Sequence, residues 1–246
     1  MKRLRRLSSS ASDRSAEGLF VVEGPVLWAE ATAAGIEVVE LFCKESDSAD
    51  VDGLGGVACH LLDPKVFDSV APTESPRSPI AVCKIPESPS LTSLGGWVLV
   101  ADGVSDPGNL GTMCRSAEAA GAAAVVVTRG STDPWSPKCV RSSAGAVFHV
   151  PVVRVDTLAD VVDAGFETVG TTSHGGSLGA TELHGADLGG RIAAVFGNEA
   201  HGLAAGAPVA RWITIEHAGR SESLNVAMAA TVVAMHIAHS RGGAPR

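Results

Sequence analysis

The stretch "VADGVSDPGNLGTMCRSAEAAGAAAVVVT" (residues 100–128) breaks an apolar run with a Gly/Pro/Asn loop, passes through a helix-like segment and closes on a second apolar run. That outline is a strand–loop–helix–strand unit with a ligand loop at its first turn. A dinucleotide cradle at such a turn needs G-x-G-x-x-G, so that backbone amides can approach a pyrophosphate. Here "DPGNLGTMCR" sets Gly108 and Gly111 three apart behind Pro107, and the third glycine is missing. Neither G-x-x-x-x-G-K-[ST] nor an acidic-G-x-G-x-G loop occurs. Arg115 falls where the early helix should face a ligand. The phosphate-cradle reading is therefore set aside, and the loop's polar residues need another role.

Outward from this unit the chain keeps alternating, which makes the fold class α/β. Strands are expected at "WVLVAD", "AAVVVT", "AVFHVPV", "FETVGTT", "RIAAVFG" and "WITIE". Helices are expected over 109–120, 137–144, 157–164 and 223–239, with Gly121 closing the first and Asp156 capping the third. Strands separated by helices imply a mostly parallel sheet whose ligand loops lie at the strand C-terminal ends. The preceding part is a smaller α/β unit. It contains a helix at "EGPVLWAEATAAG" (Pro25 near its start, Gly35 at its end), strands at "IEVVELFC", "GVACHLL" and "PIAVCKI", a short helix at "DPKVFDSVA" and a polar turn at "KESDSADVDGLGG". "PESPSLTSLGG" combines Pro, Ser and Gly without periodicity and is expected to be a linker. The division is thus 1–90 and 91–246.

The 246 residues are 45% apolar but only 4% aromatic, without tyrosine, so Val, Ala, Leu and Ile must build the core. A net charge of −8 argues against a protein that coats nucleic acid non-specifically. Local basic clusters remain: Lys2, Arg3, Arg5, Arg6 and Arg14, then Arg129, Lys138, Arg141 and Arg154. The N-terminal cluster is equally consistent with a solvated, partly disordered tail. Five scattered cysteines without a C-x-x-C pair, and no secretory h-region, suggest reduced thiols in a cytoplasmic protein. No apolar run approaches the ~20 residues of a membrane span. His236 and His239, three apart, lack a third ligand at matching spacing, and no metal is expected.

Three polar-glycine stretches each follow an expected strand: "SDPGNLGTMCR", "FGNEAHGL" and "IEHAGRSESLNVAMAA". Strand C-termini of an open sheet converge on one crevice. Asn109, Arg115, Asn198, Glu199, Ser223 and Asn225 should therefore gather there.

Together these stretches resemble the three signature motifs of the SpoU (TrmH) family of RNA ribose 2′-O-methyltransferases, in the SPOUT superfamily. Asn109, Gly111 and Arg115 carry the first, Gly197, Asn198, Glu199 and Gly202 the second, and Ser223, Leu224 and Asn225 the third. "SPKCVRSSAGAVFHVPV" and the N-terminal "RLRRLSSSASDRSAEGLFVVEGPVLWAEA" are similar to other family segments, so the likeness covers nearly the whole chain. The resemblance implies a catalytic α/β-knot domain (a trefoil knot) over 91–246, a substrate-binding domain over 1–90, and a homodimer. It implies S-adenosyl-L-methionine held by Thr171, Thr172, Gly197, Ile215, Ala218, Leu224 and Asn225. Asn109, Arg115, Glu199, Ser223 and Asn225 are its implied catalytic set. One departure stands out: relatives carry Ile-Pro-Met where this chain has Ile215-Glu216-His217.

A guanidinium is a poor base at pH 7. Arg115 is better suited to grip a phosphate bidentately and steady the developing alkoxide. Glu199 either pairs Arg115 or is the first-turn acid of a following helix. RNA is expected to meet Arg3, Arg5, Arg6, Arg14, Arg129, Lys138 and Arg141. Scarce aromatics favour shape recognition of a structured RNA over base stacking. A ribosomal substrate is preferred over tRNA. A non-catalytic RNA-binding protein is the reading from another class.

Overall fold

The computed structural model describes residues 1–50, 57–173, 179–220 and 222–242. Residues 51–56 of the expected turn over 44–56, and His174, fall outside that set. The N-terminal part holds α1 (Lys2–Ser9), α2 (Ala11–Glu17), β1 (Leu19–Glu23), α3 (Pro25–Ala33), β2 (Val38–Lys44), β3 (Cys59–Leu62), α4 (Pro64–Val70) and β4 (Ile80–Lys84). Its four strands are ordered β1-β4-β2-β3, antiparallel except for β2 with β3.

The second sheet is built from β5 (Val98–Ala101), β6 (Ala124–Thr128), β7 (Val152–Val155), β8 (Glu167–Thr171), β9 (Thr181–Glu182), β10 (Ile192–Phe196) and β11 (Arg211–Thr214). The order is β7-β6-β5-β10-β8-β11-β9, and every pairing is parallel. The helices are α5 (Pro107–Ala119), α6 (Pro137–Ser142), α7 (Ala159–Asp163) and α8 (Val226–Ser240). β5, β6 and β10 are buried along their whole length. That burial is why they are near-continuous Val/Ala/Ile runs rather than alternating ones. Strand order reverses where β10 inserts beside β5, and such a switch leaves a crevice beyond the strand C-termini.

α5 buries Leu110, Met113, Cys114 and Ala117, while Gly111 lets α6 lie against it. A Cβ at Gly111 would stand 1.9 Å from Ser142 Oγ and 2.5 Å from the Cys139 carbonyl. The two sheets share one core. Phe20 of β1 packs on Trp135 with ring centroids 4.8 Å apart, and on Phe148 at 5.9 Å.

Several expectations are corrected. "AVFHVPV" is not a strand: Gly145 adopts φ +92° and residues Ala146–Phe148 form a 3-10 turn, so β7 starts only at Val152. The run is apolar because Ala146, Val147 and Phe148 enter the core. α7 begins at Ala159, and Asp156 pairs with Arg129 (2.6 Å) instead of capping it. α8 begins at Val226 behind the cap Asn225, not at Ser223. β1 and the first two helices were not anticipated, and the N-terminus is no solvated tail. Leu4 and Leu7, three apart, bury one face of α1 beside Phe42 and Phe67. Arg14 is corrected as an RNA contact. Its guanidinium, 4% exposed, binds Asp133 (Nε to Oδ2, 2.7 Å) and donates to the Leu7 carbonyl (2.6 Å). In the expected linker, Leu91 is buried and the Ser88 hydroxyl donates to the Val152 carbonyl (2.7 Å).

Candidate active site

Asp106 and Pro107 start α5, Asp as N-cap and Pro at the first helical turn, where its missing N–H costs nothing. Asp106 Oδ1 accepts from the Asn109 backbone N–H (3.0 Å), and Oδ2 meets Lys138 Nζ (2.5 Å). The lysine contact and those backbone bonds outweigh burial and lower the Asp106 pKa.

Glu199 reaches this helix start from the loop after β10. Its Oε2 accepts the Ser105 backbone N–H (3.0 Å) and hydroxyl (2.8 Å), while Oε1 accepts the Asp106 N–H (3.1 Å) and Asn109 Nδ2 (2.8 Å). Burial works to raise the Glu199 pKa, but these bonds prevail and hold it at about 2. Asn109 Oδ1 in turn accepts from Asn225 Nδ2 (3.1 Å), and Asn225 Oδ1 caps α8 through the Ala227 and Met228 N–H groups. One network therefore ties the three polar-glycine stretches together. Neither expected role of Glu199 holds: it does not pair Arg115, and it serves the N-terminus of α5 instead of starting its own helix.

Asn198 shapes the loop. It donates to the Gly103 carbonyl (2.9 Å) and accepts from the Ala200 and His201 N–H groups. Its backbone also pairs with Gly202 in both directions. A Cβ on Gly197 would lie 2.3 Å from the Gly202 carbonyl carbon, so only glycine permits that approach.

Beyond the ends of β8, β10 and β11 lies a cleft of about 560 Å³, inside the usual range for small-molecule sites. Thr171, Thr172, Gly197, Ile215, Ser223, Leu224 and Asn225 all line it, as do Asn198 and Glu199. Ala218 does not; His217, in the expected loop 215–218, does, and so does Glu222, which was not anticipated. Glu216 is likewise not among the lining residues. Its carboxyl, beside that of Glu182, raises the pKa of that neighbour. Ser105 and Asp106 were also missed, although Asp before Pro at a helix start is a readable cap.

Arg115 stands apart from this assembly. It is exposed on α5, six residues past Asn109 and so about 120° around the helix, without an ion pair or hydrogen bond among the described residues. The expected RNA contacts fare unevenly. Arg3 binds Glu17 and Glu40 (both 2.6 Å), Arg6 binds Glu17 (3.1 Å), and Arg5 donates to Ser69. Exposed pairs of this kind are worth little and can be exchanged for phosphate. Arg141 is exposed and unpaired among the described residues. No group of three His, Cys, Asp or Glu among the described residues is placed to hold a metal ion.

An open parallel sheet, a cleft at its switch point and a carboxylate-centred network at the rim are the build of a small-molecule-binding α/β protein with a polar edge to its cleft. The SpoU rRNA Methylase family model matches residues 96–235, and the chain belongs to this family. It is 35% identical over 230 residues to RlmP, the 23S rRNA (guanosine(2553)-2′-O)-methyltransferase of Bacillus subtilis (strain 168), covering 92% of this chain and 90% of that one. The fold matches the SpoU methyltransferase AviRb from Streptomyces viridochromogenes, solved in complex with the cofactor AdoMet. There the TM-score is 0.87 at 25% identity, over 99% of this chain and 98% of that one. An AdoMet-bound rRNA methyltransferase from Sinorhizobium meliloti gives 0.83 at 26% identity, over 97% and 94%.

Proposed function

We propose that the chain transfers a methyl group from S-adenosylmethionine to a ribose 2′-hydroxyl of ribosomal RNA. The observation that carries this reading is the Glu199–Asn109–Asn225 network at the rim of the cleft. The cleft fits the cofactor in size, and Gly197 opens backbone that a side chain would block. Thr171, Thr172, Gly197, Ile215 and Leu224 would hold it. When bound, it supplies an electrophilic methyl group whose leaving thioether is neutral, so no general acid is required.

The remaining demand is on the 2′-hydroxyl, which must align with the methyl group and shed a proton. Alignment alone supplies a large share of such accelerations. Asn109 is locked by Glu199 and Asn225, so the end of α5 is a fixed edge against which the ribose can be placed. Arg115, with no internal partner among the described residues, is free to grip the adjoining phosphate and steady the developing alkoxide. The proton leaves through that phosphate or water. RlmP acts on 23S rRNA by its name, which supports a ribosomal substrate over tRNA.

The same reading assigns RNA engagement to 1–90 and catalysis to 91–246, and places the work in the cytoplasm, where five free thiols stay reduced. A trefoil knot is part of it, supported by the return of the chain to the cleft at Ile215, His217, Leu224 and Asn225 between β11 and α8. So is a homodimer. Met228 (63% exposed), Val232 and Met235 recur at i, i+4 and i+7 on α8, an apolar stripe suited to a second copy of itself. Among the described residues no helix is long and apolar enough to cross a membrane.

The test is transfer of labelled methyl from S-adenosylmethionine onto total RNA, with mapping of the modified nucleotide. Label in one 2′-O-methylated nucleotide of 23S rRNA is expected. Cofactor-binding heat without incorporation into any RNA would overturn the catalytic reading.

A further inference from the structure

Two adjoining cavities lie between the N-terminal part and the α5–α6 face, outside the cofactor cleft. One, about 570 Å³, is bounded by Glu23, Leu27, Pro72, Arg77, Val140 and Arg141 among others. The other, about 360 Å³, includes Ser8, Pro107, Asp133 and Lys138. They share Pro72, Pro137 and Arg141 as a common wall. The track continues to the catalytic rim, because Lys138 contacts Asp106, whose carboxylate caps α5 at Asn109.

Two cations that border this groove are uncommitted. Most arginines of the chain are engaged: Arg3, Arg5, Arg6, Arg14, Arg129, Arg154, Arg191, Arg211 and Arg241 all bind carboxylates, hydroxyls or carbonyls. Arg77 and Arg141 are exposed and have no such partner among the described residues, yet they border the same cavity. Glu23 Oε2 and Ser8 Oγ, on residues that border one cavity each, are buried without a hydrogen bond among the described residues, a state shared only by Arg191 Nε there. Glu23 Oε1 is already occupied by the Thr73 hydroxyl (2.5 Å) and the Arg77 N–H (3.1 Å), so the orphan is the only oxygen left to accept. A buried polar atom without a partner is rare enough to require an explanation.

We propose that this groove is a second RNA subsite, holding a guanine nucleotide that flanks the methylated ribose. The inference rests on the RNA substrate proposed above. Arg77 and Arg141 take the phosphate as paired guanidinium forks. Pro72, Pro137, Leu27 and Val140 give the base an apolar seat. Glu23 Oε2 accepts from the guanine imino and amino edge once the 72–77 loop yields to the base. Adenine presents a ring nitrogen acceptor on that edge, which a carboxylate repels; guanine presents two adjacent donors.

The test uses the full chain with its cleft saturated by S-adenosylhomocysteine, titrated with guanosine and adenosine monophosphates. The guanine nucleotide should bind at least about fivefold tighter, the discrimination of one good base contact. Glu23→Gln should erase that preference, and the double variant Arg77→Ala/Arg141→Ala should weaken both nucleotides about tenfold. The double variant should also lower affinity for 23S rRNA more than Lys65→Ala does, with the heat of S-adenosylhomocysteine binding unchanged. Equal binding of both nucleotides by the parent, or RNA affinity no lower than that of Lys65→Ala, would overturn the subsite. If the parent binds guanosine monophosphate in this way but transfers no methyl group to RNA, the subsite stands and the catalytic reading fails.

Discussion

Glu199 concentrates the logic of the site in one side chain. Four donors converge on its carboxylate, from Ser105, Asp106 and Asn109. Glu199→Gln turns one acceptor oxygen into a donor that faces N–H groups, which frees Asn109 from its fixed rotamer. We expect methyl transfer to fall by about 10²-fold, the usual cost of misplacing a positioning group, with cofactor binding reduced much less; single-turnover kinetics and calorimetry check this. The folded-state pKa of about 2 lies below the ordinary Glu value near 4.3. Its stabilising effect is therefore complete above that ordinary value and lost as pH falls toward 2. Urea midpoints of parent and Glu199→Gln should converge between pH 5 and pH 2; a gap that stays constant over that range refutes the assignment. At Arg115 the charge alone is not enough. Arg115→Lys should lose most activity because the planar fork goes, and near-normal turnover would show that the arginine only supplies charge.

At the scale of elements, α5 is the part on which everything registers. Its cap holds the site, its glycine admits α6, and its Ser116 hydroxyl meets Thr231 of α8 (2.7 Å). Gly111→Ala would force overlap with Ser142 and the Cys139 carbonyl. A loss of about 1–3 kcal/mol is expected for overpacking, a fall of several degrees in Tm by calorimetry; an unchanged Tm would mean that α6 slides freely. This helix was legible in the sequence to within two residues at its start, because Pro and Gly punctuate its ends. The rim residues were legible too, since they follow strands in motif-like clusters. "AVFHVPV" was not, because a short apolar run has no period that separates a strand from a buried 3-10 turn. Nor were α1 and α2. Their helical face is two leucines among arginines and serines, and only packing against Phe42 and Phe67 gives it meaning. The partners of the basic residues were equally invisible, since Arg3 finds Glu40 and Arg14 finds Asp133 across long sequence separations.

For the whole molecule the Arg14–Asp133 pair matters more than its size suggests. Both groups are under 10% exposed, and Arg154 also binds the aspartate (3.2 Å). Removing one member of a buried pair typically costs about 3–5 kcal/mol. Arg14→Met should sit toward the low end, because Asp133 keeps Arg154 as a partner, and urea unfolding measures it. Quaternary structure has its own probe. Met228→Glu together with Met235→Glu should convert a dimer to monomer in sedimentation; a parent chain that is already monomeric removes that part of the reading.

The same pair has a temporal side. Arg14 and its aspartate are 119 residues apart, and Phe20 waits for Trp135 and Phe148. At ~5–20 residues per second, Arg14 is made roughly 6–24 s before its aspartate exists. Throughout that interval β1 presents an aromatic ring and α2 an unneutralised guanidinium to solvent. A ribosome stalled just short of residue 133 should therefore display the segment 14–22 to trigger-type holdases and proteases, and one stalled well past residue 148 should not.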